Sequence, residues 1–143
     1  MTSNIHSHDI EQKLFDAAAE FVKQRYPQGW GGAGAVYTDA GSLLISVAPE
    51  VINDAVHLCM ETGAYLEAHK LNERVTHSLC IARDDEHSAF KVLTPCGICQ
   101  ERLFFWGEEV KAAVHDPAGQ LIFKTLNELQ PDHWSKAYRN KHD

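Results

Sequence analysis

Two short stretches constrain this chain more than anything else in it: "CMETGAYLEAHK", which begins at Cys59, and "TPCGICQERL", which begins at Thr94. Each places cysteine where a loop or strand runs into a helix. The backbone N–H groups of a first helical turn are unpaired and the dipole there favours negative charge, so a thiolate is stabilised at that position. Cys96 and Cys99 form a C-x-x-C that can place both sulfurs on one cation. Cys59 and Cys96 have 36 residues between them, so a third sulfur must come from another element. Any fold that uses all three thiols together must bring two helix starts to one point.

Three protein ligands leave the fourth tetrahedral position open, as a catalytic zinc requires, and water at such a zinc ionises near neutral pH. Glu61, two residues after Cys59, is close enough to handle that water's protons without ligating the metal. The same carboxylate could also simply favour a helix N-terminus, and the two roles are compatible. A structural zinc would need a fourth ligand, for which Cys80 is the candidate. Cys80 shares its strand face with Thr76, Ser78 and Ala82, which reads as a small packed face that suits a buried free thiol. A redox C-x-x-C is a further alternative, but it leaves Cys59 and Glu61 unexplained. His57, two residues before Cys59, is read as a loop histidine and not as a ligand.

Around these stretches the pattern alternates between helix and strand. Asp9 to Arg25 carries Ile10, Leu14, Phe21 and Val22 at helical spacing, with Asp9 as the N-cap, and "YPQGWGG" ends it. "AGAVYTD" and "SLLISVA" form an antiparallel hairpin across Ala-Gly, and "PEVINDAVHL" is a loop with some helical turn. A helix over Cys59–Lys70 follows, whose Gly63, Ala64 and Ala68 allow close approach to a sheet or another subunit. "RVTHSLCIAR" is a strand with Val75, His77, Leu79 and Ile81 on one face. "AFKVLTP" leads to a helix over Gly97–Trp106, then strands in "EVKAAVHD" and "QLIFKTL", and a short terminal helix in "NELQPDHWSKAY". This order predicts helices packed on a mixed sheet.

Charge and composition exclude some functions. The net charge is −7, and the only basic concentration is the tail "KAYRNKH", which argues against nucleic acid as the main partner. Hydrophobic residues make up 44% of the 143 and charged residues 23%, the profile of a soluble globular chain. No apolar run is long enough to span a membrane, and "MTSNIHSHDI" lacks the order of a signal peptide, so the expected location is the cytoplasm. In a reducing compartment four cysteines are read as free, metal-bound or catalytic. We expect one domain over residues 1–143, with residues 1–8 as a polar N-terminal extension.

Cys-x-Glu followed by Pro-Cys-x-x-Cys is the signature of zinc nucleobase deaminases. From the first helix to Trp134 the chain resembles the cytidine deaminase family, including its blasticidin-S deaminase-like members. The resemblance rests on "GAGAVYTDAG", "CMETGAYLEAHK", "TPCGICQERL" and "LNELQPDHW". It implies an α/β fold, a three-layer α/β/α sandwich with a central mixed sheet, with one Zn²⁺ per subunit on Cys59, Cys96 and Cys99. It implies hydrolytic deamination of a free cytosine nucleoside, with Glu61 as the proton carrier. It further implies substrate contacts at Glu50, at Ala48, at the Thr94 carbonyl and at Trp134, which would meet a neighbouring subunit's site. A homotetramer is expected, with a dimer as the alternative.

The chain also departs from the family. The usual Cys-Ala-Glu-Arg, whose arginine tempers the thiolate charge, is here Cys59-Met60-Glu61-Thr62, and the usual Cys-Arg-Gln is Cys99-Gln100-Glu101. Arg102, one helical turn beyond Cys99, could compensate, with ordinary exposure as the alternative. The family's sugar-gripping Asn-x-Glu is Ala48-Pro49-Glu50. That change favours a blasticidin-S-type or other modified-cytosine nucleoside as the alternative substrate, and leaves salvage and detoxification both open as roles. A zinc-stabilised binding protein without chemistry is the rival from another class, and retention of Glu61 argues against it.

Overall fold

The structure, a computed structural model, describes residues 2–139, with side chains from His8 onward; the end of the basic tail lies outside the described residues. Helix α1 (Thr2–Arg25) starts upstream of the expected cap. Asp9 is therefore inside the helix, where its carboxylate lies 3.4 Å from Lys13 one turn on, an i,i+4 pair that supports a helix interior. Pro27 follows closely and forbids continuation.

The expected hairpin forms from β1 (Gly31–Thr38) and β2 (Leu43–Ser46). The loop after it holds one 3₁₀ turn, Asp54–Val56, before α2 (Thr62–Leu71). Then come β3 (Val75–Arg83), the two-residue β4 (Lys91–Val92) and α3 (Gly97–Leu103), which runs on as a 3₁₀ turn over Phe104–Trp106. After β5 (Lys111–Val114) and β6 (Ile122–Thr125), the terminal helical segment is split. Helix α4 (Leu126–Leu129) is held by a capping box between Thr125 and Glu128, and a separate 3₁₀ turn covers Trp134–Tyr138. Pro131, between them, cannot donate to a continuous helix.

The strands lie in the order β2-β1-β3-β5-β6, with β4 also paired to β3. The β3–β5 pair is parallel and the others antiparallel, so the sheet is mixed. Leu14, Ala18 and Ala19 of α1 pack on Ala35, Leu79, Ile81 and Ala113 on one face. On the other face Ala64, Tyr65 and Ala68 of α2 and Cys99 and Leu103 of α3 pack on Val36, Leu44 and Ala112. The result is the three-layer α/β/α sandwich, with β3 buried on both sides.

One alternation fails. Tyr37 stands opposite His77 but Thr38 stands opposite Val75, so Thr76 is an extra residue in the ladder. A single-residue slip turns a side chain to the other face of a sheet. Val75 consequently joins the α2–α3 core, while Leu79 and Ile81 face α1. The His77 ring meets those of Tyr37 and Phe123 at 6.4 and 5.8 Å. Among the described residues no helix is long and apolar enough to cross a membrane.

Candidate active site

The two cysteine-bearing stretches meet. The sulfurs of Cys59, Cys96 and Cys99 all lie within 4.8 Å of one another, and those of Cys59 and Cys96 are 3.5 Å apart. The thiols are free, with no disulfide between them. Four sulfurs at about 2.3 Å around a tetrahedral zinc stand about 3.8 Å apart, so the spacing suits that metal. Cys80 is not in the group: it is buried at 5% exposure in β3, and no fourth cysteine closes the site. His57 is exposed and likewise outside it.

Cys96 occupies the N-cap position of α3, as its sequence context predicts, and its carbonyl accepts from Gln100 N–H at 2.9 Å. Cys59 sits one turn ahead of α2, which begins later than the stretch predicts. The Cys59 carbonyl accepts from Thr62 N–H at 3.1 Å, and Glu61 is the cap residue. Cys59, Met60 and Glu61 therefore form a tight turn, and Gly34 in β1 explains how that turn lies flat on the sheet. A Cβ on Gly34 would stand 2.6 Å from Glu61 Cα, 2.8 Å from its nitrogen and 2.9 Å from the Met60 carbonyl. The turn is also held from β2, where Ser46 Oγ donates to the Met60 carbonyl at 2.6 Å. A Cβ on Gly63 would come within 2.8 Å of Ser46 Cβ, the close approach to the sheet that the small residues of α2 predict.

Electrostatics distinguish the three thiols. Burial pushes the Cys96 thiol up, but hydrogen bonds from the Cys99 backbone, the Cys59 and Cys99 thiols and the Ile98 N–H outweigh it and leave the group below its ordinary value. The helix start thus favours thiolate there. Burial raises Cys59, helped by Cys96 and by the charge of Glu61. Cys99, fully buried, is pushed well above the thiol range by burial and then by the Glu61 charge and hydrogen bond. Cys80 is raised the same way, by burial first and Glu61 second, which puts it against the same carboxylate. Glu61 itself is only 4% exposed. Three thiols crowded on a buried carboxylate cannot all ionise without a cation between them. The donor set therefore fits a divalent metal with soft ligands.

The remaining expected site residues are more dispersed. Ala48 is half-buried in the loop after β2, and Glu50 is exposed. Thr94 precedes Pro95, and its hydroxyl accepts from His115 N–H at 2.9 Å. Trp134 is 63% exposed, and its indole N–H donates to Glu101 of its own chain at 2.9 Å. Among the described residues no hydrogen bond ties these four to the thiol group.

Several supports were not legible as such. Gln100 Nε2 donates to the Pro95 carbonyl at 2.8 Å, and Gln130 Nε2 donates to Gln100 Oε1 at 2.6 Å, bracing the turn before Cys96. Glu101 also accepts from His133 Nε2 at 2.7 Å, and the His133 ring stacks on Phe104. The signal for the first brace was the amide directly after Cys99; the partners, 30 and more residues away, carried none.

No protein-family model and no curated protein matches the chain. Solved structures do. The crystal structure of the cytidine deaminase from Bacillus anthracis is 56% identical, covers 90% of this chain and 92% of that one, and superposes with a TM-score of 0.88. The cytidine deaminase from Mycobacterium leprae is 24% identical over 72% of this chain and 80% of its own, at a TM-score of 0.57. The cytidine deaminase from Burkholderia pseudomallei is 17% identical over 86% and 98%, at 0.66. The last two are likenesses of fold alone.

Proposed function

Since the chain belongs to the cytidine deaminase family, we propose that it is a zinc-dependent hydrolase that converts a free cytosine nucleoside, cytidine or deoxycytidine, to the uracil nucleoside and ammonia. The observation that carries this is the convergence of Cys59, Cys96 and Cys99 beside the buried Glu61. The three thiols would hold the zinc, which supplies a Lewis acid that activates water. Glu61 accepts the proton of the attacking water and passes it to ring N3 as C4 becomes tetrahedral. It then carries the second proton to the departing amine, which leaves as ammonia while C4=O forms. Its burial keeps bulk water from exchanging those protons. The Thr94 carbonyl accepts from the exocyclic amine, N–H groups at the Cys59 and Cys96 helix starts hold the C4 oxygen, and Glu50 holds a sugar hydroxyl. Trp134 would contact the site of a neighbouring subunit in a homo-oligomer, a tetramer or a dimer. The expected setting is the cytoplasm, with no nucleic acid or membrane as partner.

The test is ammonia release, or the ultraviolet change on loss of the amine, across cytosine, cytidine, deoxycytidine, blasticidin S and cytidines substituted on the exocyclic amine. Zinc should be measured in the same preparation. Zinc-loaded protein that turns over none of these refutes the proposal.

A second reading, a modified-cytosine nucleoside as the preferred substrate, is favoured by the half-buried Ala48 in the loop that leads from β2 toward Cys59. Loss of one neutral hydrogen bond to the sugar weakens cytidine turnover by roughly 0.5–1.5 kcal/mol and leaves space for a larger group. Ala48→Asn should then raise kcat/KM for cytidine relative to blasticidin S. A wild type that already prefers cytidine, with no gain in the variant, excludes this reading.

A further inference from the structure

Glu61 caps α2, yet its side chain accepts no bond from that helix. Being buried, it is also withdrawn from bulk water. A long carboxylate side chain of this kind has several rotamers to lose, and something must select one. The sheet beneath offers one group. Gly34 in β1 stands directly opposite Cys80 in β3. Opposite residues of a ladder point to the same face, with Cβ atoms about 4.5–5.5 Å apart. The Cβ that Gly34 lacks would fall 2.6 Å from Glu61 Cα. The Cys80 side chain therefore rises from the sheet under Glu61, and the bare backbone at Gly34 lets the turn down onto it.

The Cys80 thiol is buried and meets the Glu61 carboxylate as a hydrogen-bond partner. Ser78, two residues back on the same face, has its hydroxyl paired with that of Tyr65 at 2.8 Å. Cys99 meets the same carboxylate, but as a metal ligand its sulfur is a thiolate and has no proton to donate. Cys80 lies outside the ligand group and keeps its own. We propose that Cys80 is a positioning residue for the reaction: its S–H donates to the Glu61 carboxylate from the sheet side and holds it in one rotamer beside the metal ligands, so that turnover depends on it and substrate binding does not. This rests on the reading of Glu61 as the proton carrier given above.

The test combines infrared spectroscopy with kinetics on zinc-loaded protein. The chain has four cysteines, and three of them give up their protons to the metal, so the remaining S–H stretching band belongs to Cys80. That band should move to higher frequency in Glu61→Gln, which weakens the acceptor and keeps its shape. Cys80→Ala removes the donor and Cys80→Ser replaces it. Kinetics use ammonia release from cytidine or, where faster, from blasticidin S. A thiol is a weak donor, so Cys80→Ala should lower kcat by about three- to tenfold, the range of one modest hydrogen bond, with KM within about twofold of wild type. Cys80→Ser should recover kcat to within about twofold of wild type, although a hydroxyl in the place of a buried thiol lowers Tm. A merely structural thiol would make kcat follow Tm through both variants, and that result overturns the proposal. So does an S–H band that Glu61→Gln leaves in place, or a Cys80→Ala enzyme with wild-type kcat. If Cys80→Ala does not fold, a Cys80→Ser protein that folds and holds zinc but loses more than about tenfold in kcat overturns it instead. Wild-type kcat in Glu61→Gln overturns the reading of Glu61 itself, and this inference with it.

Discussion

Gly34→Ala is the sharpest perturbation this structure offers, because the added methyl touches nothing but the backbone of the active turn. Its Cβ would lie 2.6 Å from Glu61 Cα, whereas ordinary contact begins at 3.4 Å, so 3.4 − 2.6 = 0.8 Å of movement is the least that relieves it. Glu61 N at 2.8 Å and the Met60 carbonyl at 2.9 Å block escape sideways. No flexible tip can give way, and the turn must lift from the sheet or β1 must bend. The Ser46 bond to the Met60 carbonyl would be stretched with it. Overpacking of this kind destabilises by about 1–3 kcal/mol. Its effect on catalysis should be larger, since the lift carries Cys59 and Glu61 away from Cys96 and Cys99, and a displacement near 1 Å can cost about 10²-fold in rate. Gly32→Ala is the comparison: its Cβ would meet the Met60 sulfur at 2.6 Å, the end of a flexible side chain, and the Ile81 carbonyl at 3.0 Å. We expect Gly34→Ala to lose about 10²-fold in kcat/KM, with reduced zinc content and a lowered Tm, and Gly32→Ala to lose distinctly less. The assay is ammonia release under subsaturating substrate, with zinc measured on each preparation. Wild-type turnover and zinc in Gly34→Ala would refute the close-approach argument.

Cys59→Ala, Cys96→Ala and Cys99→Ala should each abolish zinc retention, while Cys80→Ala should keep about one zinc per chain, the stoichiometry of a single three-ligand site; loss of zinc from the Cys80 variant would mean a closed, four-cysteine structural site. Glu61→Ala should hold zinc and fold normally but lose about 10²–10⁴-fold in kcat, the range for a removed general acid–base group, and full turnover would take Glu61 out of the mechanism. Burial, with the Lys111 charge second, lowers the His77 pKa from 6.5 to about 4, so this ring stays neutral in the fold while the unfolded chain protonates. The unfolded state then binds the extra proton, stability is full above about pH 6.5, and it falls by at most about 3 kcal/mol as the pH drops to about 4. Melting curves of chelator-treated protein between those values should slope less for His77→Gln, and an unchanged slope would exclude this histidine as a source of acid sensitivity.

How much of this molecule could be read beforehand depended on whether the cause was local. The C-x-x-C and the cap position of Cys96 were legible because helix-start chemistry acts within one turn. Cys59 joined them because a lone cysteine followed by x-Glu had no better use. Most elements followed from period and punctuation, but the terminal stretch reads as one helix and is split at Pro131 into two. Nothing local marked the extra residue at Thr76, because a strand with a bulge and a strand without one can carry the same alternating composition. The first turns of α1 were missed because they lack an apolar stripe. The bonds that brace the site are non-local in the same sense. Gly34 is small for the sake of Met60 and Glu61, and Gln100 matters through Pro95 and Gln130, none of which announces the other.

The division between what is local and what is not also explains why chemistry is more legible here than substrate. The proposed hydrolysis at C4 would need one proton carrier, Glu61, and a metal held by three thiols, and that chemistry restricts the residue types that can do it. Sugar recognition needs donors matched to a ligand that lies outside the chain, and Ala48, being apolar, leaves only a missing donor to reason from. A missing donor weakens one candidate without choosing another. The contact of Trp134 with Glu101 limits the inference in the same way, since an indole held by its own chain at 63% exposure still presents most of its ring to whatever approaches. Its hydrogen bond fixes the direction in which that ring faces. A second subunit that used the ring could then contact it without first having to order it, because the ordering entropy has already been met within the chain.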